Sequence, residues 1–205
     1  MCGRYRIDDG HESIELHYII DAVNRRVVVE PVKTSGDVFP TDVAPVVASD
    51  RKMEPAAFAM QWGYTLPNGR RVINARSETA QESPLFRDGM LGRRCAVPAT
   101  NYYEWQRVGG AKKDKYAIRP ADGGLFYMAG IYRIESGRPV FSILTREPAD
   151  SIAFIHDRMP VILPSALVGD WIDPRRSAGE ILERAVLDVA AERERGEAEQ
   201  LRMPF

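Results

Sequence analysis

The amino-acid sequence predicts an α+β fold, a single domain in which helices surround a mostly antiparallel, barrel-like β core. Many short stretches rich in β-branched and aromatic residues are separated by turn-forming residues at irregular intervals. Segments with helical periodicity are inserted between these stretches. The chain has no internal repeat, low-complexity tract or linker, so its 205 residues are expected to share one core.

The predicted elements follow one another along most of the chain. Residues 3–7 are expected to form a strand, and Asp9 and Glu12 mark the start of a helix. The apolar face of that helix comprises Ile14, Tyr18, Ile19, Ala22 and Val23. Further strands are expected at residues 43–48, 56–62, 95–98, 102–106, 116–119, 125–134, 140–144 and 160–163. Pro148 is predicted as the first residue of a short helix that runs to Ile155.

The C-terminal part of the chain has a different character. Ser177 and Glu180 resemble a capping box, and residues 181–201 are heavily charged, which predicts a helix. We therefore expect the main body of the domain over residues 1–175. Residues 176–205 would form a charged helical extension of the same domain.

Composition and charge exclude several classes of protein. The formal net charge is −1, so any nucleic-acid contact must come from a local patch. There is no secretory signal pattern at the N-terminus, and no apolar run is long enough to cross a bilayer. Cys2 and Cys95 can form one disulfide at most, and with three histidines they lack metal-ligand spacing. The sequence therefore favours a cytoplasmic protein with no metal, no cofactor and no membrane association.

The N-terminal Met1-Cys2-Gly3-Arg4 contains a candidate nucleophile. Aminopeptidases remove Met1 when the second residue is small, and removal would leave Cys2 with a free α-amine beside its thiol. Because α-amines titrate at about 7.7–8.0 and thiols near about 8.5, both groups are partly available at neutral pH. Such an aminothiol converts an aldehyde to an imine and then to a thiazolidine. On position alone, Cys2 is better explained as the second residue of a frayed terminus.

Residues 74–79, with the sequence Asn-Ala-Arg-Ser-Glu-Thr, place an amide, a guanidinium and a hydroxyl together. With Ser77 as the N-cap of a helix, this cluster would suit an anionic ligand such as phosphate. The alternative is an ordinary strand-to-helix junction with a capping serine.

A buried carboxylate is predicted in Tyr102-Tyr103-Glu104-Trp105. Alternation along a strand places Tyr102 and Glu104 on one face and Tyr103 and Trp105 on the other. A carboxylate flanked by aromatic rings tends to have a raised pKa, which suits a general acid or base. The alternative is a solvent-facing glutamate on a half-buried strand.

His156 precedes Asp157-Arg158-Met159-Pro160, between a predicted helix and a predicted strand. Loops in such positions often carry function, and a histidine with a pKa near about 6.5 can both donate and accept a proton. A histidine bonded to nearby backbone is the alternative.

Taken together and in this order, these motifs resemble the SRAP family, named for "SOS response-associated peptidase". The matching segments are residues 1–4, 61–63, 74–79, 93–98, 103–105, 129–132 and 155–163. With further similarity to about Trp171, they span most of the chain.

The resemblance implies a barrel-like core and a positively charged groove for single-stranded DNA that contains abasic sites. The candidate catalytic residues are Cys2, Asn74, Glu104 and His156. The matured Cys2 amine would attack the open-chain aldehyde, and its thiol would close a thiazolidine. By position, Glu104 resembles the proton shuttle and the group that assists self-removal of Met1. His156 resembles the partner that opens the sugar ring and reverses the linkage, and Asn74 the residue that orients the cysteine or the sugar.

The candidate DNA-contact residues are Arg4, Arg76, Trp62 and Arg158. Arg76 resembles a residue that grips a flanking phosphate, whereas the Trp62-Gly63 pair is also explained by packing alone. The implied protein is a cytoplasmic monomer, associated with the nucleoid if bacterial, with self-processing peptidase and AP-lyase activity.

The chain departs from the family pattern at several places. Many relatives carry Gly-Phe where this chain has Asn101-Tyr102, and the segment after Trp62-Gly63 is short, at residues 64–69. The four candidate catalytic positions are intact.

Two other functions fit the same residues. Cys2 and His156 are the nucleophile and base types of an N-terminal-nucleophile or Cys–His peptidase or amidohydrolase. A non-covalent reader of modified DNA would need the groove but not the free amine.

Overall fold

Strands are the predominant secondary structure of the computed structural model, which describes residues 2–8, 13–26, 30–109 and 113–194. In chain order the strands are β1 (Tyr5–Ile7), β2 (Gly36–Val38), β3 (Val43–Ser49), β4 (Pro55–Trp62), β5 (Tyr64–Thr65), β6 (Arg71–Val72), β7 (Asn74–Arg76), β8 (Arg94–Ala99), β9 (Asn101–Arg107), β10 (Lys113–Pro120), β11 (Phe126–Glu135), β12 (Arg138–Arg146), β13 (Met159–Pro160), β14 (Ile162–Leu163) and β15 (Val189–Arg193). The helices are α1 (Ile14–Asn24), α2 (Arg87–Gly92), α3 (Val168–Ile172) and α4 (Ala178–Glu183).

Five strands close into a barrel in the order β12-β4-β3-β8-β11, with β11 pairing back to β12. All of these pairings are antiparallel except that of β4 with β12, which is parallel. Closure removes the exposed strand edges that an open sheet of this size would present. The prediction of an α+β domain with a mostly antiparallel, barrel-like core is therefore confirmed.

A second sheet, in the order β15-β10-β9-β1-β2, is antiparallel throughout. The chain passes directly from barrel strand β8 into β9, and the Thr100 amide between them donates to the Arg6 carbonyl at 2.9 Å. One buried cluster contains residues of both sheets, including Tyr5 and Tyr102 from this sheet and Val97 and Phe141 from the barrel. The N-terminal strand is thereby held against the side of the barrel.

Trp62, at the end of β4, lies entirely inside this core. Its ring stacks on Phe141 with centroids 6.3 Å apart and meets Tyr5 edge-on at 5.2 Å. Its Nε1 donates to the Ile73 carbonyl at 3.0 Å. With no exposed surface, Trp62 cannot contact DNA in this structure; its assignment as a DNA-contact residue was wrong, and packing explains it.

Helix α1 buries a narrower face than the sequence predicted. Ser13 is the N-cap and accepts from the Leu16 amide, whereas the predicted start at Asp9 and Glu12 lies outside the described residues. The buried side chains are Leu16, Ile19 and Val23. Ile14 and Tyr18, which were assigned to the apolar face, are 72% and 69% exposed.

Two further predicted helices are absent from the described chain. Ser77 does not cap a helix: it begins a run of turns over residues 77–82, and its amide donates to the Thr145 carbonyl at 2.9 Å. The helix predicted to start at Pro148 is only a single 3-10 turn, Asp150–Ile152.

Up to residue 194, the C-terminal segment is not one long helix; the rest of the predicted helix, residues 195–201, lies outside the described residues. Ser177 does cap α4, but that helix ends at Glu183, and the chain then forms β15 against the edge of β10. Lys115 on β10 pairs with Glu194 at 2.6 Å, and Asp114 pairs with Arg193 at 3.0 Å. The charges that predicted a helix therefore serve cross-strand ion pairs.

Arg94 binds the segment between α3 and α4 to the barrel. This residue is 2% exposed, lies over the Trp171 ring at 5.1 Å and donates to the carbonyls of Asp173 and Arg176. Within the described part of the chain, no helix is long and apolar enough to span a membrane.

Replacement of Trp62 by alanine should lower the free energy of unfolding by about 3–5 kcal/mol, because it leaves a cavity and an unpaired Ile73 carbonyl. Urea unfolding followed by circular dichroism measures the change. Tyr18→Ala, at an exposed position of α1, is the control and should stay within about 0.5 kcal/mol of the parent. A Trp62→Ala protein as stable as the parent would contradict the core assignment.

Candidate active site around Cys2

Cys2 lies at the head of β1 and is fully buried. The Asn74 side-chain amide donates to the Cys2 carbonyl at 2.8 Å, and the Cys2 thiol donates weakly to the Arg4 carbonyl with Sγ at 3.6 Å. The Tyr103 amide donates to the same Arg4 carbonyl at 2.9 Å, which continues the pairing of the N-terminal segment with β9. Cys2 is thus held between β9 and the end of β7.

Asn74 reaches Cys2 because β12 has two successive partners on one edge. β4 pairs with Val140 and Phe141, and β7 then pairs with Ile143 to Thr145, which sets Asn74 opposite Ile143. The Asn74 side chain is 9% exposed. Its position is therefore fixed by the barrel, and its amide fixes the backbone of Cys2.

Glu104 is a buried carboxylate on β9, 4% exposed. Its pKa is raised to about 6, mainly by burial, and the neighbouring Asp157 carboxylate contributes to the increase. The pKa of the Cys2 thiol is also raised, first by burial and then by the negative charge of Glu104. The thiol and the carboxylate therefore lie within electrostatic range of each other, and a carboxyl group that titrates near neutrality suits proton transfer in either direction.

His156 lies on the loop that carries Asp157, whose charge acts on Glu104. Its Nδ1 accepts from the Arg158 amide at 3.1 Å and also lies 2.7 Å from the Asp157 carboxylate. The first contact requires an unprotonated Nδ1 and the second a protonated one. Burial lowers the pKa of His156 against the opposing effect of Asp157. Since Asp157 is 87% exposed and well screened, we assign the neutral ring with its hydrogen on Nε2.

The three candidate DNA-contact arginines differ in availability. Arg76, at the end of β7, is exposed and has no ion pair among the described residues. The Arg4 guanidinium lies over the rings of Phe39 at 4.6 Å and Trp105 at 5.1 Å, with Asp37 at 3.6 Å. These contacts hold Arg4 beside Cys2 and leave 29% of its side chain exposed.

Arg158 is largely neutralised by its own protein. Its guanidinium makes two hydrogen bonds to the Glu78 carboxylate, at 2.8 and 2.7 Å, and a third to the Thr145 carbonyl at 2.6 Å. Partial burial raises the pKa of Glu78, but the hydrogen bond and charge of Arg158, together with backbone hydrogen bonds, outweigh this effect and lower the pKa of that carboxyl. The structure thus shows Arg158 as an anchor for the His156 loop.

The structure brings Cys2, Asn74 and Glu104 together and sets the His156 loop beside them, whereas Trp62 lies in the core beneath. Sequence reasoning missed Asp157, which raises the pKa of Glu104, and Glu78, which binds Arg158. Both belong to motifs that were identified, but nothing in a linear pattern tells which carboxylate faces which cation. In the described residues, no three His, Cys, Asp or Glu side chains are grouped so that they could hold a metal ion.

Comparison with known proteins gives a consistent result. The family "SOS response associated peptidase (SRAP)" matches residues 1–200. The abasic site processing protein YoaM of Bacillus subtilis is 30% identical over 203 residues, which cover 94% of this chain and 88% of YoaM. The abasic site processing protein YedK of Escherichia coli is 27% identical over 191 residues, which cover 90% of this chain and 85% of YedK.

Solved structures share the fold. A protein from Bacteroides thetaiotaomicron superposes with a TM-score of 0.76 at 24% identity, over 97% of this chain and 94% of that one. A phage-related protein from Bordetella bronchiseptica superposes with a TM-score of 0.72 at 25% identity, over 96% of this chain and 95% of that one. Because the family match covers nearly the whole sequence, including the residues around Cys2, the chain belongs to the SRAP family.

Proposed function

We propose that this protein processes abasic sites in single-stranded DNA by forming a covalent thiazolidine linkage through Cys2 after removal of Met1. The observation that carries the proposal is the enclosure of Cys2 between the Asn74 amide and the carboxyl group of Glu104, whose pKa burial raises to about 6. Two relatives named abasic site processing proteins, YoaM and YedK, support the same substrate.

The reaction begins with attack of the Cys2 amine on the open-chain aldehyde of the abasic sugar. Glu104, as the carboxylate, accepts the proton that the amine loses and returns it to the hydroxyl, which leaves as water when the imine forms. The thiol sulfur then adds to the imine carbon, the C=N electron pair moves to nitrogen, and the thiol proton ends on that nitrogen. The product is a five-membered ring that contains both atoms of the aminothiol.

The surrounding residues supply orientation and further proton transfer. The Asn74 amide holds the Cys2 backbone, so the nucleophile is positioned before the aldehyde arrives. The neutral His156 ring presents its Nε2–H for opening of the sugar ring and for reversal of the linkage. Glu104 also assists self-removal of Met1. The imine intermediate acidifies the adjacent C–H of the sugar, which accounts for AP-lyase activity as a side reaction.

DNA binding rests on few charges. Because the protein has a net charge of −1, phosphate contacts come from a local group, for which exposed Arg76 and partly exposed Arg4 are the candidates. So few phosphate contacts suit a monomer that recognises one lesion, rather than a protein that coats long single strands.

The first test uses an abasic single-stranded oligonucleotide and denaturing electrophoresis. The parental protein should give a DNA adduct that survives denaturation. Cys2→Ser should retain Met1 removal and imine formation, so its adduct should appear only after borohydride trapping. An oligonucleotide with a tetrahydrofuran analogue, which lacks the aldehyde, is the matched control and should give neither product.

Blocking the amine separates this mechanism from a hydrolase. An uncleaved N-terminal tag leaves the Cys2 thiol intact but acylates its nitrogen, so both adducts should disappear. A stable adduct on the tagged chain would refute the aminothiol mechanism. Peptide release by that chain would support the Cys–His peptidase. A salt-sensitive complex with DNA that forms without a crosslink would support the non-covalent reader.

The second prediction concerns Glu104→Gln, which retains the shape of the side chain but cannot titrate. Crosslink formation should slow by roughly 10²–10⁴, as is usual for loss of a general acid–base group. Single-turnover gels at several pH values measure this loss. In the parent, the rate should fall as pH drops through about 6, where the carboxylate becomes protonated, and this limb should be absent from the variant.

The same substitution should stabilise the fold near neutral pH. The raised pKa means that the native state retains a proton which the unfolded chain releases, so this contribution to stability is present below about pH 4.5 and is lost as pH rises through about 6. Gln mimics the protonated form, so at pH 7.5 Glu104→Gln should be more stable by about 2 kcal/mol, a gain that vanishes toward pH 4. Thermal unfolding at both pH values measures the gain; a variant that is less stable at pH 7.5 would contradict the buried assignment.

The third prediction concerns Arg76→Ala. Affinity for undamaged single-stranded DNA should fall, and the slope of log K against log salt should lose about 0.7, the contribution of one phosphate contact. Arg51→Ala is the matched control, because Arg51 is also exposed but lies at the far end of the β3–β4 hairpin from Trp62. Fluorescence anisotropy at several salt concentrations gives both values. Equal slopes for the parent and Arg76→Ala would remove the phosphate role.

A further inference from the structure

The core next to Cys2 contains tyrosine hydroxyls that have no hydrogen-bond partner among the described residues. They belong to Tyr5 and Tyr102, and both side chains are completely buried. Leaving a buried hydroxyl unpaired costs about 1–3 kcal/mol, so each such group calls for a physical explanation. Phenylalanine would fill the same space without this cost.

The strand register places both rings beside Cys2. Tyr5 on β1 is directly opposite Tyr102 on β9, and Tyr102 shares a face of β9 with Glu104, two residues along. Cys2, Tyr5 and Tyr102 belong to one buried cluster. Tyr102 therefore lies on the strand next to the one that bears the nucleophile, and on the same face as the residue that moves its proton.

The two hydroxyls have different neighbours. Burial raises the pKa of Tyr102, and the charges of Cys2 and then Glu104 raise it further. The pKa of Tyr5 is raised by burial, then by Cys2, but also by Asp42 and Cys95. Tyr5 also packs edge-on against Trp62. The charges that act on the Tyr102 hydroxyl thus belong to the two reacting groups, Cys2 and Glu104. Those that act on the Tyr5 hydroxyl also include Asp42 and Cys95.

The hydrogen bonds observed at Cys2 in the described part of the chain include none in which its sulfur accepts. Burial and the charge of Glu104 both oppose formation of the thiolate. The Asn74 amide is engaged with the Cys2 carbonyl, and the contact of Sγ with the Arg4 carbonyl uses sulfur as a donor. Negative charge that develops on sulfur during ring closure consequently lacks a hydrogen-bond donor among these contacts.

We propose that the Tyr102 hydroxyl is a positioning group for ring closure, donating a hydrogen bond to Cys2 Sγ as the thiol is converted from imine-bound nucleophile to thiazolidine. The proposal rests on the function proposed above. In this step the S–C bond forms, the C=N pair moves to nitrogen, and the proton from sulfur reaches nitrogen through Glu104. Tyr102 keeps its own proton throughout, so no further reactant is needed.

The test is Tyr102→Phe, which removes only the hydroxyl. Mature protein is mixed with an abasic single-stranded oligonucleotide, and samples are taken with time, with and without borohydride. Total adduct after trapping reports imine formation, and untrapped adduct reports ring closure. Imine formation should stay within about twofold of the parent, and ring closure should slow by roughly ten- to a hundredfold, the effect of losing one hydrogen bond to a charged group. The pH profile of the ring-closure rate should also move to higher pH in this variant.

Tyr64→Phe is the matched control. The Tyr64 side chain is also buried, its hydroxyl also has no hydrogen-bond partner in the described part of the chain, and its ring lies under Arg133 rather than beside Cys2. This variant should react like the parent. Both Tyr→Phe variants should unfold at a temperature equal to or above that of the parent, because each removes an unpaired polar atom.

The outcomes separate the role of the Tyr102 hydroxyl from crosslink formation by Cys2. If Tyr102→Phe closes the ring at the parental rate, or slows imine formation and ring closure equally, the Tyr102 role is refuted while the crosslink stands. If the parental protein forms no stable adduct, the proposed function fails, and the Tyr102 role fails with it. An effect of Tyr5→Phe in place of Tyr102→Phe would assign the donor to the other ring and overturn this proposal.

Discussion

The parallel contact between β4 and β12 is the constraint on which the remaining architecture depends. It is the only parallel pairing in the ring of five strands, and it closes the barrel. Trp62 lies at this junction, stacked on Phe141 across the seam. Because β12 is longer than its contact with β4, it goes on to pair with β7 and brings Asn74 to the head of β1. The position of the N-terminal cysteine is therefore a consequence of barrel closure.

Much of the barrel was predictable because its strands are consistent with their local sequence. The segments that became β3, β4, β8, β11 and β12 are rich in apolar and β-branched residues, and each was predicted within a few residues of its observed bounds. The C-terminal segment failed for the opposite reason. Residues 189–193 have a helix-forming composition, but the exposed edge of β10 offers backbone hydrogen bonds and opposite charges that override it. Only the tertiary partner distinguishes the two outcomes.

The candidate site shows the same division. The candidate residues Cys2, Asn74, Glu104 and His156 were selected from motifs and from the family resemblance, and their catalytic roles stay predictions. The neighbours of these side chains could not be predicted from the sequence. Arg158 has the positive charge expected of a DNA-contact residue, but Glu78 binds it. Trp62 has an aromatic ring that could stack on a base, but the ring is buried in the core. A linear pattern gives the identity of a side chain but not the direction in which it points.

Complete burial of Cys2 has a consequence for the lifetime of the protein in the cell. Oxidants and small electrophiles react with cysteines in proportion to thiolate character and accessibility, and at Cys2 burial suppresses both. Under the proposed function, this burial protects Cys2 from sulfenic acid formation and from mixed disulfides with cellular thiols until an abasic site reaches it. Activation of the sulfur then depends on the bound aldehyde.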